Sequence, residues 1–206
     1  MFKSFDGITV NSLFEKVIVK FNCWFKHISV PSGIKQFSYH QELMMDTSQK
    51  LSANFTLGEL LYSNTAISKG ISNAPNAKEL ANLKQLVETF LQPLRDDIKL
   101  PIRINSGFRS QALNKAIPGS STTSAHCHGL AVDIVCPAYK NGNVREFCLY
   151  VADFVKRKNI KFDQIIYEKV GGAKWCHFGI AHQDGRKRGQ LLTIHNRKTT
   201  VGFKNV

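Results

Sequence analysis

Between Asn76 and Leu94, the apolar residues Leu80, Leu83, Leu86, Val87, Phe90, Leu91 and Leu94 recur at steps of three and four. That spacing lines one face of a helix with side chains that must be buried against other elements. Asn76 with Glu79 starts the helix as a capping box, and Pro93 is expected to kink its last turn. The period then changes. Ile102 and Ile104 alternate with Arg103 and Asn105, a strand signal that Ser106-Gly107 ends. Leu130 to Val135, Ile165 to Tyr167 and Trp175 to Ile180 read as further short strands, the last two joined by a Gly171-Gly172 turn. Thr56 with Glu59 is a second capping box opening a short helix, and Ser110 to Ile117 forms another. Asn143 with Glu146 starts a helix on which Val144, Phe147, Val151, Phe154 and Val155 keep helical spacing. Helices come first and short strands later, with no regular βαβ alternation and no internal repeat. The expected class is α+β, a small antiparallel sheet packed with helices.

At 206 residues the chain suits one ordinary domain with an appendage. Residues 1–48 carry scattered aromatics (Phe2, Phe5, Phe14, Phe21, Trp24, Phe25) and no sustained period, and are read as an extension of unknown role. Met44 and Met45 stand just before the orderly pattern begins, so translation from either is an open alternative. Residues 49–182 hold the patterned domain. Residues 183–206 read as a basic, weakly patterned tail. Glu15, Lys16, Lys20 and Lys26 interrupt the run of roughly 7 to 15 apolar residues that a signal peptide needs, so none is expected. A hydrophobic share of 43% and a mean hydropathy of -0.19 are those of a soluble globular protein, and no stretch approaches the roughly 20 apolar residues of a membrane span.

A net charge of +13 points to a polyanionic partner: nucleic acid, an anionic membrane or an anionic cell wall. A solvated basic surface that only aids solubility explains the charge equally well. After Gln183, Arg186, Lys187, Arg188, Arg197, Lys198 and Lys204 stand against the single acid Asp184. Nucleic acid is the least favoured partner, because the basic residues are dispersed and the tail lacks aromatics until Phe203. Cys23, Cys127, Cys136, Cys148 and Cys176 are odd in number and form no CxxC pair, so reduced thiols are expected. Cys127 and Cys176 each adjoin a histidine and read as core residues behind a site.

Asp133 lies in the apolar strand between Val132 and Ile134. A buried carboxylate needs a partner, and a metal cation or an arginine would serve equally. The stretch S124-A125-H126-C127-H128-G129 precedes it and supplies an imidazole. His177, in W175-C176-H177-F178-G179-I180, is a second histidine sunk in an apolar strand. Alone it reads as a hydrogen-bonded core residue, and only taken with the first segment does the balance turn toward a metal ligand; a catalytic zinc takes three protein ligands and keeps a fourth position for water.

S-x-H-x-x-G-x-A-x-D followed by W-x-H, with F-T-L-x-E-L at Phe55 and S-G-F-R-S at Ser106, resembles the zinc D-Ala-D-Ala carboxypeptidase family. That family includes phage endolysin L-alanyl-D-glutamate peptidases and shares its fold with the Hedgehog signalling domain. The resemblance runs from about Leu51 to His182. It implies one zinc ion on His126, Asp133 and His177, with Arg109 gripping a substrate carboxylate or polarising the scissile carbonyl, and Ser124 bonding near the substrate or capping its loop. Some members place an acid three residues before the second histidine, where this chain has Lys174, a poor base at neutral pH. Glu168, ending D-Q-I-I-Y-E, resembles the D-Q-x-I-x-E of other members and is the expected general base. His128 and His182 are left without an assigned role.

The implied activity is hydrolysis of peptidoglycan stem peptides, as a D-Ala-D-Ala carboxypeptidase or an L-Ala-D-Glu endopeptidase. The resemblance further implies a monomeric phage-type lysis enzyme made in the cytoplasm, reaching the wall by holin-type release, where anionic wall polymers would attract it. The alternative is a Hedgehog-like binding module that keeps zinc for structure.

Overall fold

A computed structural model describes residues 46–206; the 1–45 part of the expected 1–48 extension, with Met44 or Met45 as the start, falls outside them. Among the described residues the helices are α1 (Leu57–Leu61), α2 (Asn64–Lys69), α3 (Ala77–Leu86), α4 (Gln92–Ile98), α5 (Gln111–Ala116) and α6 (Val144–Arg157). The strands are β1 (Arg103–Ser106), β2 (Ala131–Val135), β3 (Gln164–Val170), β4 (Ala173–Gly179), β5 (Gln190–His195) and β6 (Lys198–Val201).

Local sequence sets the helix starts. The Thr56 and Asn76 side chains accept from the Glu59 and Glu79 amides, and each glutamate bonds back to the cap, so both capping boxes form. Asn143 caps α6 by accepting from the Glu146 amide. The expected kink takes another form. Five residues, Val87–Leu91, make a π-helical turn that joins α3 to α4, with Pro93 in the first turn of α4. Proline clashes with the carbonyl four residues back and cannot bond it. The widened turn ahead of Pro93 takes up that conflict, so the chain stays helical through it.

The six strands form one sheet in the order β1-β2-β4-β3-β5-β6. The α+β class holds. The sheet is larger than the small antiparallel one expected and is mixed, because β3 and β5 pair in parallel. The stretch after His182, expected to be a weakly patterned tail, contributes β5 and β6 to this sheet, so that expectation is corrected. β5 is short with no exposed position to mark an outer face, and β6 carries Lys198 and two threonines on wholly exposed positions, which hides the alternation.

Alternation along the strands separates two faces. Val132, Ile134, Ile165, Tyr167, Cys176 and Phe178 enter the core with the α3–α4 run and α6. Phe90, in the π turn, stacks on Phe178 with ring centroids 3.4 Å apart. The residues between them, Asp133, Ile166, Glu168 and His177, therefore belong to the opposite face. Cys127, Cys136, Cys148 and Cys176 are buried and unbridged, as expected. Among the described residues no helix is long and apolar enough to cross a membrane.

Candidate active site

Asp133 and His177 are direct partners across β2 and β4. The pleat thus delivers a carboxylate and an imidazole to the same face, and the carboxylate Oδ1 lies 2.9 Å from His177 Nδ1. His126 arrives from outside the sheet, on the 3-10 turn Ala125–His128 just before β2. Gly129 ends that turn with φ 66°, and a Cβ there would sit 2.5 Å from the Glu79 carbonyl. Only glycine meets both demands. His126 Nε2 lies 3.2 Å from Asp133 Oδ1 and 3.2 Å from His177 Nδ1.

These three atoms form a triangle with sides of 2.9, 3.2 and 3.2 Å. A tetrahedral zinc with bonds of about 2.0–2.1 Å sets its ligand atoms about 3.3–3.4 Å apart, so the triangle fits the face of such a site. The protonation pattern agrees. His126 Nδ1 is 2.6 Å from the Gly107 carbonyl, which can only accept, so that nitrogen carries the proton and Nε2 presents a lone pair. His126 Nε2 and Asp133 Oδ1 are then both electron-pair donors in a buried cluster, a set of groups that a cation satisfies. His126, Asp133 and His177 can hold a metal ion.

Burial pushes the His126 imidazole below its usual value, against the pull of Asp133. Burial alone would raise Asp133 and lower His177. In each case hydrogen bonding and opposite charge win: His126 first and then His177 hold Asp133 well below the usual carboxylate range, and Asp133 raises His177.

Glu168 faces Trp175 across β3 and β4, two positions along from the Ile166–His177 pair, and so shares the face of His177. Burial pushes its carboxyl up to about 7, reinforced by the Asp133 charge and opposed by His177 and Arg109. Lys174 is an odd number of positions from His177 on β4 and points from the other face. An acid at position 174 would not reach the triangle here, whereas Glu168 does share its face.

Arg109 is held by both ends. Its amide donates to the His126 carbonyl at 3.2 Å and its Nη2 to Ser124 Oγ at 3.3 Å. Its Nε is buried with no hydrogen-bond partner. Ser124 precedes the 3-10 turn without a side-chain cap bond, so its hydroxyl serves Arg109 rather than the turn. Gly107 lets this loop pass against α1: a Cβ there would collide with the Leu60 carbonyl, which accepts from the Phe108 amide at 2.8 Å.

Asn73 was missed by sequence reasoning. Its Nδ2 donates to the Leu61 and Phe108 carbonyls and its Oδ1 accepts from the Ser110 amide at 2.7 Å, pinning both sides of Arg109 to the α1–α2 region. A single asparagine between helices gives no signal of this. His128 and His182 do not join the triangle: His128 Nε2 pairs with Gln183 Oε1 at 3.1 Å and His182 Nδ1 with Asp184 Oδ1 at 2.9 Å.

The sequence model of the Peptidase M15 family matches residues 53–163, which include Arg109, Ser124, His126 and Asp133 but not Glu168 or His177. No protein of curated function matches the chain. Among solved structures, the Serratia marcescens L-Ala D-Glu endopeptidase ChiX is similar at 22% identity over 52% of this chain and 90% of that one, with a TM-score of 0.35. The family match spans more than half of the 206 residues and holds both the S-G-F-R-S turn and the first two corners of the triangle, and the chain belongs to the Peptidase M15 family.

Proposed function

We propose that this chain is a zinc-dependent peptidase that cuts the stem peptides of bacterial peptidoglycan. The observation that carries the reading is the triangle of His126 Nε2, Asp133 Oδ1 and His177 Nδ1, with Glu168 on the same sheet face. Zinc at this triangle supplies Lewis-acid polarisation of a carbonyl and a bound water of lowered pKa.

The chain's own groups do the rest. Glu168 accepts a proton from the attacking water, whose oxygen bonds to the scissile carbonyl carbon. The C–N bond then breaks, and Glu168 returns the proton to the leaving amine. Burial raises the Glu168 carboxyl above its usual range, which suits it to accept and return a proton. Arg109, fixed through Ser124 and the His126 carbonyl, presents its guanidinium to the oxyanion or to a substrate carboxylate, which its planar fork matches.

The bond cut is D-Ala-D-Ala or L-Ala-D-Glu, both open to this chemistry. A phage-type lysis role, with action on the wall after holin-type release, is part of the proposal and rests on family resemblance and on the basic charge. The test is digestion of purified peptidoglycan by zinc-loaded protein with mass spectrometry of the muropeptides. Products shortened at one stem bond, absent after chelation and with Glu168→Gln, are expected. Intact muropeptides with zinc-replete wild type would refute the proposal.

A further inference from the structure

At the turn end of the sheet, Lys174 of β4 is the direct partner of Lys169 of β3, Lys169 of His195 of β5, and His195 of Lys198 of β6. Directly opposed residues project from the same face. Four basic side chains therefore form one line across four strands, about 14 Å long at the usual strand spacing. Arg197 adds a further cation in the β5–β6 turn. Lys169 and Lys174 set like charges directly opposite each other, which destabilises a sheet, so this pairing works against the fold that carries it. Among the described residues, the salt bridges engage other cations and none reaches Lys169, Lys174 or Lys198. Lys174 and Lys198 are exposed, and Lys169 and His195 half-buried.

The row lies on the face opposite the triangle. Lys169 alternates with Glu168, and Lys174 with Trp175, which shares the face of His177. A long anion lying along the row leaves the peptide site uncovered.

We infer that this row docks a phosphodiester polyanion of the bacterial wall while the other face of the sheet works on a stem peptide. The inference rests on the wall-peptidase reading for the identity of the polymer, and on the register alone for the surface. Lysines are compact charges that suit a flexible phosphate chain, with no need of a fixed fork. Nucleic acid fits less well. Tyr62, the exposed large aromatic among the described residues, caps the end of α1 and belongs to none of the strands that carry the row, so the row has no base-stacking platform.

The test is co-sedimentation of the full-length zinc-loaded chain with insoluble walls on ice, intact or stripped of phosphodiester polymers by hydrofluoric acid, over a salt series. Wild type should bind stripped walls at least tenfold more weakly. The triple variant K169Q/K174Q/K198Q should lose that difference, with the slope of log affinity against log salt shallower by about two, as for three lost phosphate contacts. A control with equal charge loss elsewhere, K78Q/K115Q/K156Q, should bind like wild type. Equal wild-type binding to both walls, or an equal loss in the control, would overturn the docking surface. Displacement by duplex DNA at lower phosphate concentration than by soluble poly(glycerol phosphate) would overturn it in favour of nucleic acid. Cleavage of a soluble stem peptide is read in parallel and should not change in the triple variant. Absent cleavage with row-dependent binding sinks the peptidase reading alone, and cleavage without row-dependent binding sinks the docking surface alone.

Discussion

Asp133 and His177 face each other across β2 and β4, and their Oδ1 and Nδ1 atoms are 2.9 Å apart. Two corners of the triangle are thus fixed by strand pairing itself, and only His126 depends on a turn. Asp133→Asn keeps the size of the side chain and removes its charge. It should lower zinc affinity by more than about tenfold with the sheet intact, as measured by competition with a chromophoric chelator. Wild-type affinity in this variant would remove Asp133 from the ligand set.

Metal removal should register in stability as well as activity. A ligand bound only by the folded chain stabilises it by about 2.7 kcal/mol at a hundred times its Kd. Chelation should therefore lower the unfolding midpoint by several degrees, and added zinc should restore both midpoint and activity. Calorimetry with and without zinc checks this. An unchanged midpoint would mean that the triangle holds no metal in solution.

Glu168 gives a pH dependence of defined sign. Its folded carboxyl is raised from 4.5 to about 7 by burial, so between those values the folded chain holds a proton that the unfolded chain has released. Stability contributed by this residue falls as pH rises through that window, by about 3 kcal/mol at most. Metal-free Glu168→Gln should then melt above wild type at pH 8 and level with it at pH 4. In the zinc-loaded enzyme the added positive charge draws the carboxyl downward, so the acid limb of kcat/KM should lie below pH 7. Equal melting of the two proteins at pH 8 would show that Glu168 is not buried as described.

Arg109→Lys keeps the charge and loses the fork. Zinc content should be unchanged while kcat/KM falls on the order of thirty- to a hundredfold, the scale of about 2 to 3 kcal/mol for a charge-assisted contact. Steady-state kinetics on a stem peptide reads this. A loss of zinc instead would place Arg109 in support of His126 rather than against substrate.

Gly107→Ala tests the loop between α1 and the triangle. The added methyl meets the Leu60 backbone, which cannot rotate away, and the shift displaces the carbonyl that holds His126 Nδ1. A cost of about 1–3 kcal/mol is expected, together with weaker zinc binding. Thermal unfolding and zinc titration measure the two effects, and a neutral result in both would mean that the loop relaxes freely.

The parts of the fold legible in the sequence were those coded locally. Thr56 with Glu59 and Asn76 with Glu79 state their caps within four residues, and Asp133 and His177 stand out because each is polar in an apolar strand. What stayed hidden depends on distant partners. β5 is recognisable only against β3, to which it runs parallel, and its flanking charges mask its alternation. Asn73 acts through three backbone groups remote in sequence. The face of Lys174 became readable only when β4 had a register, which also shows why Glu168 needs no acid at 174 beside it.

The π turn before Pro93 sets the phase of everything after it. Its five residues carry one more than an α turn would hold, which brings Phe90 onto Phe178, the residue next to His177. Deleting one residue from 87–91 would remove the widened turn that accommodates Pro93 and rotate α4 by about 100°. Leu94 would then leave the core, and the stacked ring behind His177 would lose its place. Chain length in this segment therefore acts as a counted quantity: close relatives should tolerate exchanges of apolar side chains here far better than the gain or loss of a single position.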